Sequence, residues 1–416
     1  MILAIISASL PLVFWWRFKD TPLDRDFVPY AYPAVFKTDY LQDGHADIKP
    51  PLIHWSYKVW LDYSSVLKLT LTRQLRLLPA LMLSLSVYMV TITMGVTHGL
   101  VLSLLLCSPT IWVHMANTEW LTLTLLALSA VSSISPYPYN LVLPVVLGLI
   151  PWVNQKNVLL IVPVAWALGL NLVPTFQTVE LILAPSFFIM AYLALTKRLE
   201  LAKTWIWDIP KTFGKNRTFK LNTMSMARLL IPCIVLISPV VACMDWSSRW
   251  AVVALVVVLI MLWSKQITPH HFILLALPIA LACQPTPLMW LGFAGVWVWR
   301  DGLVWWKPGL IYTVTFGMGQ IDYAMLLADA KRIEKVIIEN TTPEDRIWVN
   351  GMENQIYFTT MRKAVRIEIP ELQGFPDADL PKFIVHCAVG FKKMEYTGYK
   401  VAEISNYGLY TLMEKV

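Results

Sequence analysis

Asp24 and Asp26 stand two residues apart in the segment Asp20-Thr21-Pro22-Leu23-Asp24-Arg25-Asp26-Phe27-Val28-Pro29-Tyr30. In an extended chain that spacing turns both carboxylates to one side. A carboxylate in half-dry surroundings makes a general base, because burial and neighbouring acids raise its pKa. Two aspartates also suit a helix N-terminus, and the residues alone leave both readings open. Further on, Ile48-Lys49-Pro50-Pro51-Leu52 sets an ammonium before two rings that fix the backbone. A cation so directed at the level of lipid headgroups suits a phosphate. It equally suits a lysine snorkelling to an interface.

Later polar residues recur at the ends of apolar runs: Asn117-Thr118-Glu119, Asn154-Gln155-Lys156, and Lys265 with His270-His271. Ionisable groups inside apolar segments are costly and mark substrate or ion paths. Helix capping accounts for Thr118-Glu119 as well, and paired histidines occur as plain interfacial residues. A divalent metal ion would find ligands in His45, Asp47 and Glu119. The chain has no GxGxxG and no P-loop, so nucleotide binding has no support. Nothing in it points to nucleic acid.

The elements that must hold these residues are apolar. Hydrophobic residues make up 57% of the 416 and charged residues 15%, against roughly 25% charged in soluble domains. Mean hydropathy is +0.57. Continuous apolar runs recur up to about residue 318, which fits membrane helices and not the short alternating strands of a barrel. The runs predict spans at 1–16, 75–96, 98–115, 119–133, 140–152, 157–172, 179–195, 229–243, 250–263, 271–283 and 288–299, with a weaker one at 303–318. The expected total is eleven or twelve. A basic linker covers 197–228. Four of the five cysteines, Cys107, Cys233, Cys243 and Cys283, lie in apolar runs without metal-type spacing and read as small buried hydrophobes. Charge rises after about Gln320. There the pattern predicts a helix at 322–340 and short strands at 346–349, 364–369, 383–389, 399–404 and 409–413.

In chain order these motifs resemble the GT-C glycosyltransferases, the group that includes dolichyl-phosphate-mannose–protein mannosyltransferases, bacterial aminoarabinose transferases and lipopolysaccharide galacturonosyltransferases. The resemblance runs through Asp26-Phe27-Val28-Pro29-Tyr30, then Lys49-Pro50-Pro51-Leu52 and Trp55, and Leu75-Arg76-Leu77-Leu78-Pro79. It continues through Thr118-Glu119-Trp120-Leu121, Gly148-Leu149 with Lys156, Lys265 with His271-Phe272-Ile273-Leu274, and Thr342-Pro343-Glu344-Asp345 with Ile356-Tyr357. Phe27 replaces the usual second acid, Glu119 stands for Asp, and His271 replaces an aromatic.

The resemblance implies a polytopic α-helical membrane protein of GT-C type with a small C-terminal soluble α/β domain. Residues 1–320 would form the transmembrane domain, with a catalytic first extracytoplasmic loop at 17–74, and 321–416 the soluble domain. It implies inverting transfer of a sugar from a polyprenyl-phosphate donor to a hydroxyl of an acceptor lipid, glycan or protein. The site would face the extracytoplasmic side of a bacterial inner or plasma membrane. Asp26 would be the general base, with Asp24 beside it. Lys49, Tyr30, Arg76, Glu119, Lys156, Lys265 and His271 would bind substrate. A transporter or flippase for a lipid-linked sugar, or a non-catalytic binder of one, is the alternative.

Overall fold

A computed structural model describes residues 2–20, 28–38, 50–108, 118–136, 138–170, 176–208, 223–263, 271–298, 323–350, 355–365, 381–387, 398–408 and 410–416. Most of these residues are helical. The chain forms two compact units. One joins Met1–Pro22 to Ile48–Thr315; the other joins Leu23–Asp47 to Phe316–Val416. The division thus runs through the loop 17–74, whose middle clusters with C-terminal residues.

In the first unit, α1 is Ile2–Phe18. In the second, α2 is Val28–Val35. Back in the first, α3 is Leu52–Ser64, α4 Leu71–Met94, α5 Val96–Leu106, α6 Glu119–Ile134, α7 Val142–Leu149 and α8 Ile161–Ala167. There follow α9 Phe176–Leu195, α10 Thr223–Ala242, α11 Arg249–Trp263, α12 His271–Ala282 and α13 Pro287–Val296. Nearly every predicted apolar run is a helix. The runs at 140–152 and 157–172 are broken into short helices by 3-10 turns at Ile150–Trp152 and Gln155–Leu160. By length and composition, α4 and Thr178–Leu195 of α9 can cross a membrane; the other apolar helical stretches among the residues described in full, Cys233–Ala242 of α10 included, are shorter, at 10–17 residues. At 1.5 Å per residue the 24 residues of α4 cover about 36 Å, more than a hydrocarbon core.

Local chemistry sets the helix ends. α4 stops at Gly95, whose φ of 97° is open to glycine and strained for other residues. α6 starts with Glu119, an acid where the helix dipole welcomes one. α13 starts after Thr286, whose hydroxyl accepts from the Met289 amide at 3.2 Å, with Pro287 in the first turn.

The helices pack through small and hydroxyl-bearing residues, as in lipid, where apolar burial alone discriminates little. The Ser86 hydroxyl of α4 donates to Thr124 of α6 at 3.1 Å. The Ser103 hydroxyl of α5 donates to the Ser7 carbonyl of α1 at 2.9 Å. α7 meets α9 at Gly148, where an added Cβ would fall 2.1 Å from the Ile182 carbonyl oxygen. Asp20, just past α1, takes a two-bond grip from Arg73 of α4, at 2.6 and 3.1 Å. That guanidinium holds the Asp20 carboxyl below its ordinary pKa.

The second unit carries α14 (Tyr323–Asn340), α15 (Gln355–Thr360) and five strands. These are β1 (Arg346–Asn350), β2 (Lys363–Ala364), β3 (Phe383–Cys387), β4 (Tyr399–Ile404) and β5 (Tyr410–Lys415). The sheet order is β2-β1-β3-β5-β4. β1 runs parallel to β2 and β3, while β5 runs antiparallel to β3 and β4. The predicted helix and all five predicted strand regions are present, to within a few residues at their ends among the described residues. Trp348 and Ile384 are buried together against Tyr399 and Met413. On α14, Ile333 and Ile337 are fully buried one turn apart. Buried Asp329 of α14 accepts from the Ser405 hydroxyl and, at 2.9 Å, from the Tyr407 amide, so it pins the β4–β5 turn.

The loop helix α2 is part of this unit's core. Its Tyr32 is buried, and the Tyr32 hydroxyl accepts from the Ala364 amide of β2 at 2.7 Å. The Tyr32 ring stands edge-on to Tyr357 with centroids 6.0 Å apart, and Phe36 lies 6.2 Å from Phe358.

Candidate functional site

Polar side chains gather inside the first unit where α3, α4, α6, α12 and the turn Gln155–Leu160 meet. α6 supplies Glu119, Trp120 and Thr122, all buried. The turn begins at Asn154, which is extended, and carries Lys156 and Asn157. The Asn157 amide nitrogen donates to the Thr122 hydroxyl at 3.0 Å and so ties the turn to α6. The Asn157 backbone amide donates to the Asn154 carbonyl at 2.9 Å. Glu119 lies one helical turn before Thr122, and Asn154 one 3-10 turn before Asn157. From α12, His271 is buried and its Nε2 contacts the Lys156 ammonium.

From the other side, the Tyr57 ring of α3 meets Trp120 edge-on, with centroids 5.9 Å apart. Arg76 of α4 is fully buried, as is Tyr57. Burial pushes the Tyr57 phenol well above its ordinary pKa, and Trp120 and the Arg76 charge act against that rise.

Several polar atoms in this region are buried with no hydrogen-bond partner: Glu119 Oε2, Asn154 Nδ2 and Asn157 Oδ1; the Trp120 indole N–H faces the Tyr57 phenol. An orphaned buried group costs about 1–3 kcal/mol. Native cores avoid that cost, and exceptions cluster where a ligand or a function supplies the missing partner.

Of the residues proposed from sequence, Arg76, Glu119, Lys156 and His271 are in this unit and buried or half-buried. Lys156 and His271 are brought into contact although they lie 115 residues apart. Tyr30 is buried in α2 and belongs to the second unit. Trp55 packs edge-on against Tyr192 of α9 at 5.8 Å. Asp24, Asp26, His45, Asp47, Lys49 and Lys265 lie outside the described residues. Sequence reading passed over Tyr57, Trp120, Thr122 and Asn157. The one available signal was the Asn154–Asn157 spacing, which puts both amides on one side of a tight turn.

Among the described residues, no group of three or more His, Cys, Asp or Glu is placed to hold a metal ion. A divalent ion here would need His45 and Asp47 to join Glu119, so the mechanism below is written for the chain's own residues.

No protein-family profile and no curated protein matches the chain. Among solved structures, it is similar to the arabinofuranosyltransferase AftD from mycobacteria, with a TM-score of 0.44 and 12% identity over 99% of this chain. The match spans 40% of that protein's length. A similarity of this degree does not define a shared fold, and the functional reading rests on the side chains.

Proposed function

We propose that the chain is an integral membrane glycosyltransferase of GT-C type. It moves a sugar from a polyprenyl-phosphate donor to an acceptor hydroxyl at the extracytoplasmic face of a bacterial inner or plasma membrane. The observation that supports this best is the meeting of Lys156 and His271 among apolar helices that also bury Arg76 and Glu119. Ionisable groups in such surroundings are expensive and are retained for a substrate that needs them.

The reaction assigns each group a task. The acceptor oxygen attacks the anomeric carbon from the face opposite the phosphate, and the carbon–phosphate-oxygen bond breaks with inversion. The acceptor's proton passes to the Asp26 carboxylate, with Asp24 beside it. Negative charge grows on the departing lipid phosphate, and preorganised cations neutralise it best in a dry site. Lys49, Arg76, Lys156 and Lys265 take that role.

A second reading has its own observation. The 3-10 breaks at Ile150–Trp152 and Gln155–Leu160 interrupt apolar helices beside the polar cluster. Broken helices of that kind line the sites of transporters. Mass spectrometry of lipid-linked sugars and glycoconjugates, from cells with wild-type or Asp26→Asn protein, separates the two. Donor accumulation with loss of one glycoconjugate, and retained lipid binding by the variant, supports the enzyme. Undiminished product removes Asp26 from its role. Lipid movement across the bilayer without sugar transfer favours the transporter.

A further inference from the structure

We infer that Glu119, Asn154 and Asn157 form a subsite for adjacent hydroxyls of a neutral sugar ring, next to the cations that take the lipid phosphate. The inference rests on the glycosyltransferase reading and adds the group of side chains that selects the sugar.

Three observations carry it. Each of the three side chains is at most 2% exposed, and each holds one buried polar atom without a partner. The three are linked through a short path. Thr122 lies a turn beyond Glu119, the Thr122 hydroxyl receives the Asn157 amide at 3.0 Å, and Asn154 is a turn before Asn157. The unpartnered atoms are of both kinds. Asn154 Nδ2 donates, while Glu119 Oε2 and Asn157 Oδ1 accept. The Asn157 orientation is set by its bond to Thr122, which uses the nitrogen and leaves the oxygen.

This mixture decides the ligand class. A phosphate has acceptor oxygens only; it satisfies the one donor and is repelled by the Glu119 carboxylate and the Asn157 carbonyl. A cation satisfies the acceptors and leaves the donor unpaired. A polyprenyl tail satisfies none. Each hydroxyl of a sugar ring both donates and accepts, so two neighbouring hydroxyls can meet all three groups. The cations for the phosphate are at hand on the same turn, since Lys156 lies between Asn154 and Asn157 in sequence and contacts His271.

A structural role and a ligand role differ in their effect on the empty protein. A side chain that stabilises the fold lowers stability when replaced. A side chain holding an unmet polar atom for a ligand raises it when replaced by an apolar one of like size. Asn154→Leu therefore tests both aspects; Asn157 also holds Thr122 and is left in place. The full-length protein, in nanodiscs, is challenged with polyprenyl phosphate and with a panel of polyprenyl-phosphoryl hexoses and pentoses. Binding is read by native mass spectrometry and stability by thermal unfolding.

Wild-type protein is expected to hold at least one sugar-bearing lipid more tightly than the bare phosphate. Asn154→Leu should erase roughly tenfold of that increment, leave the bare phosphate's affinity unchanged, and raise the unfolding temperature of the lipid-free protein. Glu119→Gln keeps the shape and removes the charge, so it tests the acceptor without risking the fold. It should cut the same increment. If the increment survives both substitutions, or Asn154→Leu unfolds at lower temperature than wild type, the subsite is overturned while the enzyme reading stands. If polyprenyl phosphate binds and no sugar adds to it, the subsite falls likewise. If wild-type protein binds neither lipid, the enzyme reading fails and takes the subsite with it.

Discussion

His386 occupies the middle of the sheet on β3, paired with Asn350 of β1 and Thr411 of β5. Burial holds its imidazole below the ordinary value. The folded chain thus binds this proton less readily than the unfolded chain does. The contribution to stability is complete above the unfolded value of about 6.5 and is lost as pH falls through it toward the folded value. The unfolding temperature of the second unit should therefore fall between about pH 7.5 and pH 5.5, and His386→Leu should flatten that stretch of the profile. Glu334 acts in the opposite sense, because burial raises its pKa and acid relieves it. Comparing variant with wild type cancels that contribution. An identical slope in both proteins would show that His386 is not the group responsible. At this scale the sequence showed which residue types were out of place in an apolar chain. Glu119, Lys156 and His271 stand out by being ionisable. Asn154 and Asn157 do not, since what marks them is an unmet hydrogen bond, and that depends on which helices meet.

Two contacts between elements make predictions of different kind. Gly148 of α7 lies where any Cβ would come within 2.1 Å of the Ile182 backbone oxygen of α9. A backbone oxygen inside a helix cannot step aside, so Gly148→Ala must push the helices apart. Overpacking of this kind costs about 1–3 kcal/mol. Tryptophan fluorescence during thermal unfolding should show the loss, and an unchanged midpoint would mean the helices separate freely. The other contact is the Tyr32 hydroxyl on the Ala364 amide. Tyr32→Phe leaves that buried amide unpaired, at a cost of about 1–3 kcal/mol. Hydrogen exchange in the full-length protein should then rise at 362–365. Unaltered protection there would show that β2 does not depend on α2. The helices and strands themselves were legible, because apolar runs and alternation are local patterns. The partner of α2 was not. Val28–Val35 reads as part of a polar loop, and only the tertiary structure shows that its aromatic face completes a sheet made of residues more than 300 positions away.

For the whole molecule, the consequence lies in chain connectivity. Leu23–Asp47 and Phe316–Val416 form one compact unit, so both must be on the same side of any membrane the chain crosses. On the proposed membrane reading, the residues between them, Ile48–Thr315, must then cross an even number of times. The segment Met1–Pro22 adds one crossing before the loop. The total is odd, and of the eleven or twelve spans expected from hydropathy the parity selects eleven. If the weak run at 303–318 crosses, one of the short helices between does not. Helices of 10–17 residues are the natural candidates for a segment that enters without traversing. Single cysteines at Lys37 and at Lys400, labelled by a membrane-impermeant maleimide in intact cells, should react together or be protected together. The extracytoplasmic placement of the loop predicts that both react. Lys37 is exposed on α2's C-terminal side and Lys400 is exposed on β4, so each thiol is within reach once on the labelled face. Opposite outcomes at the two positions would break the second unit apart. Joint protection would keep it whole and turn the proposed site to the cytoplasmic face.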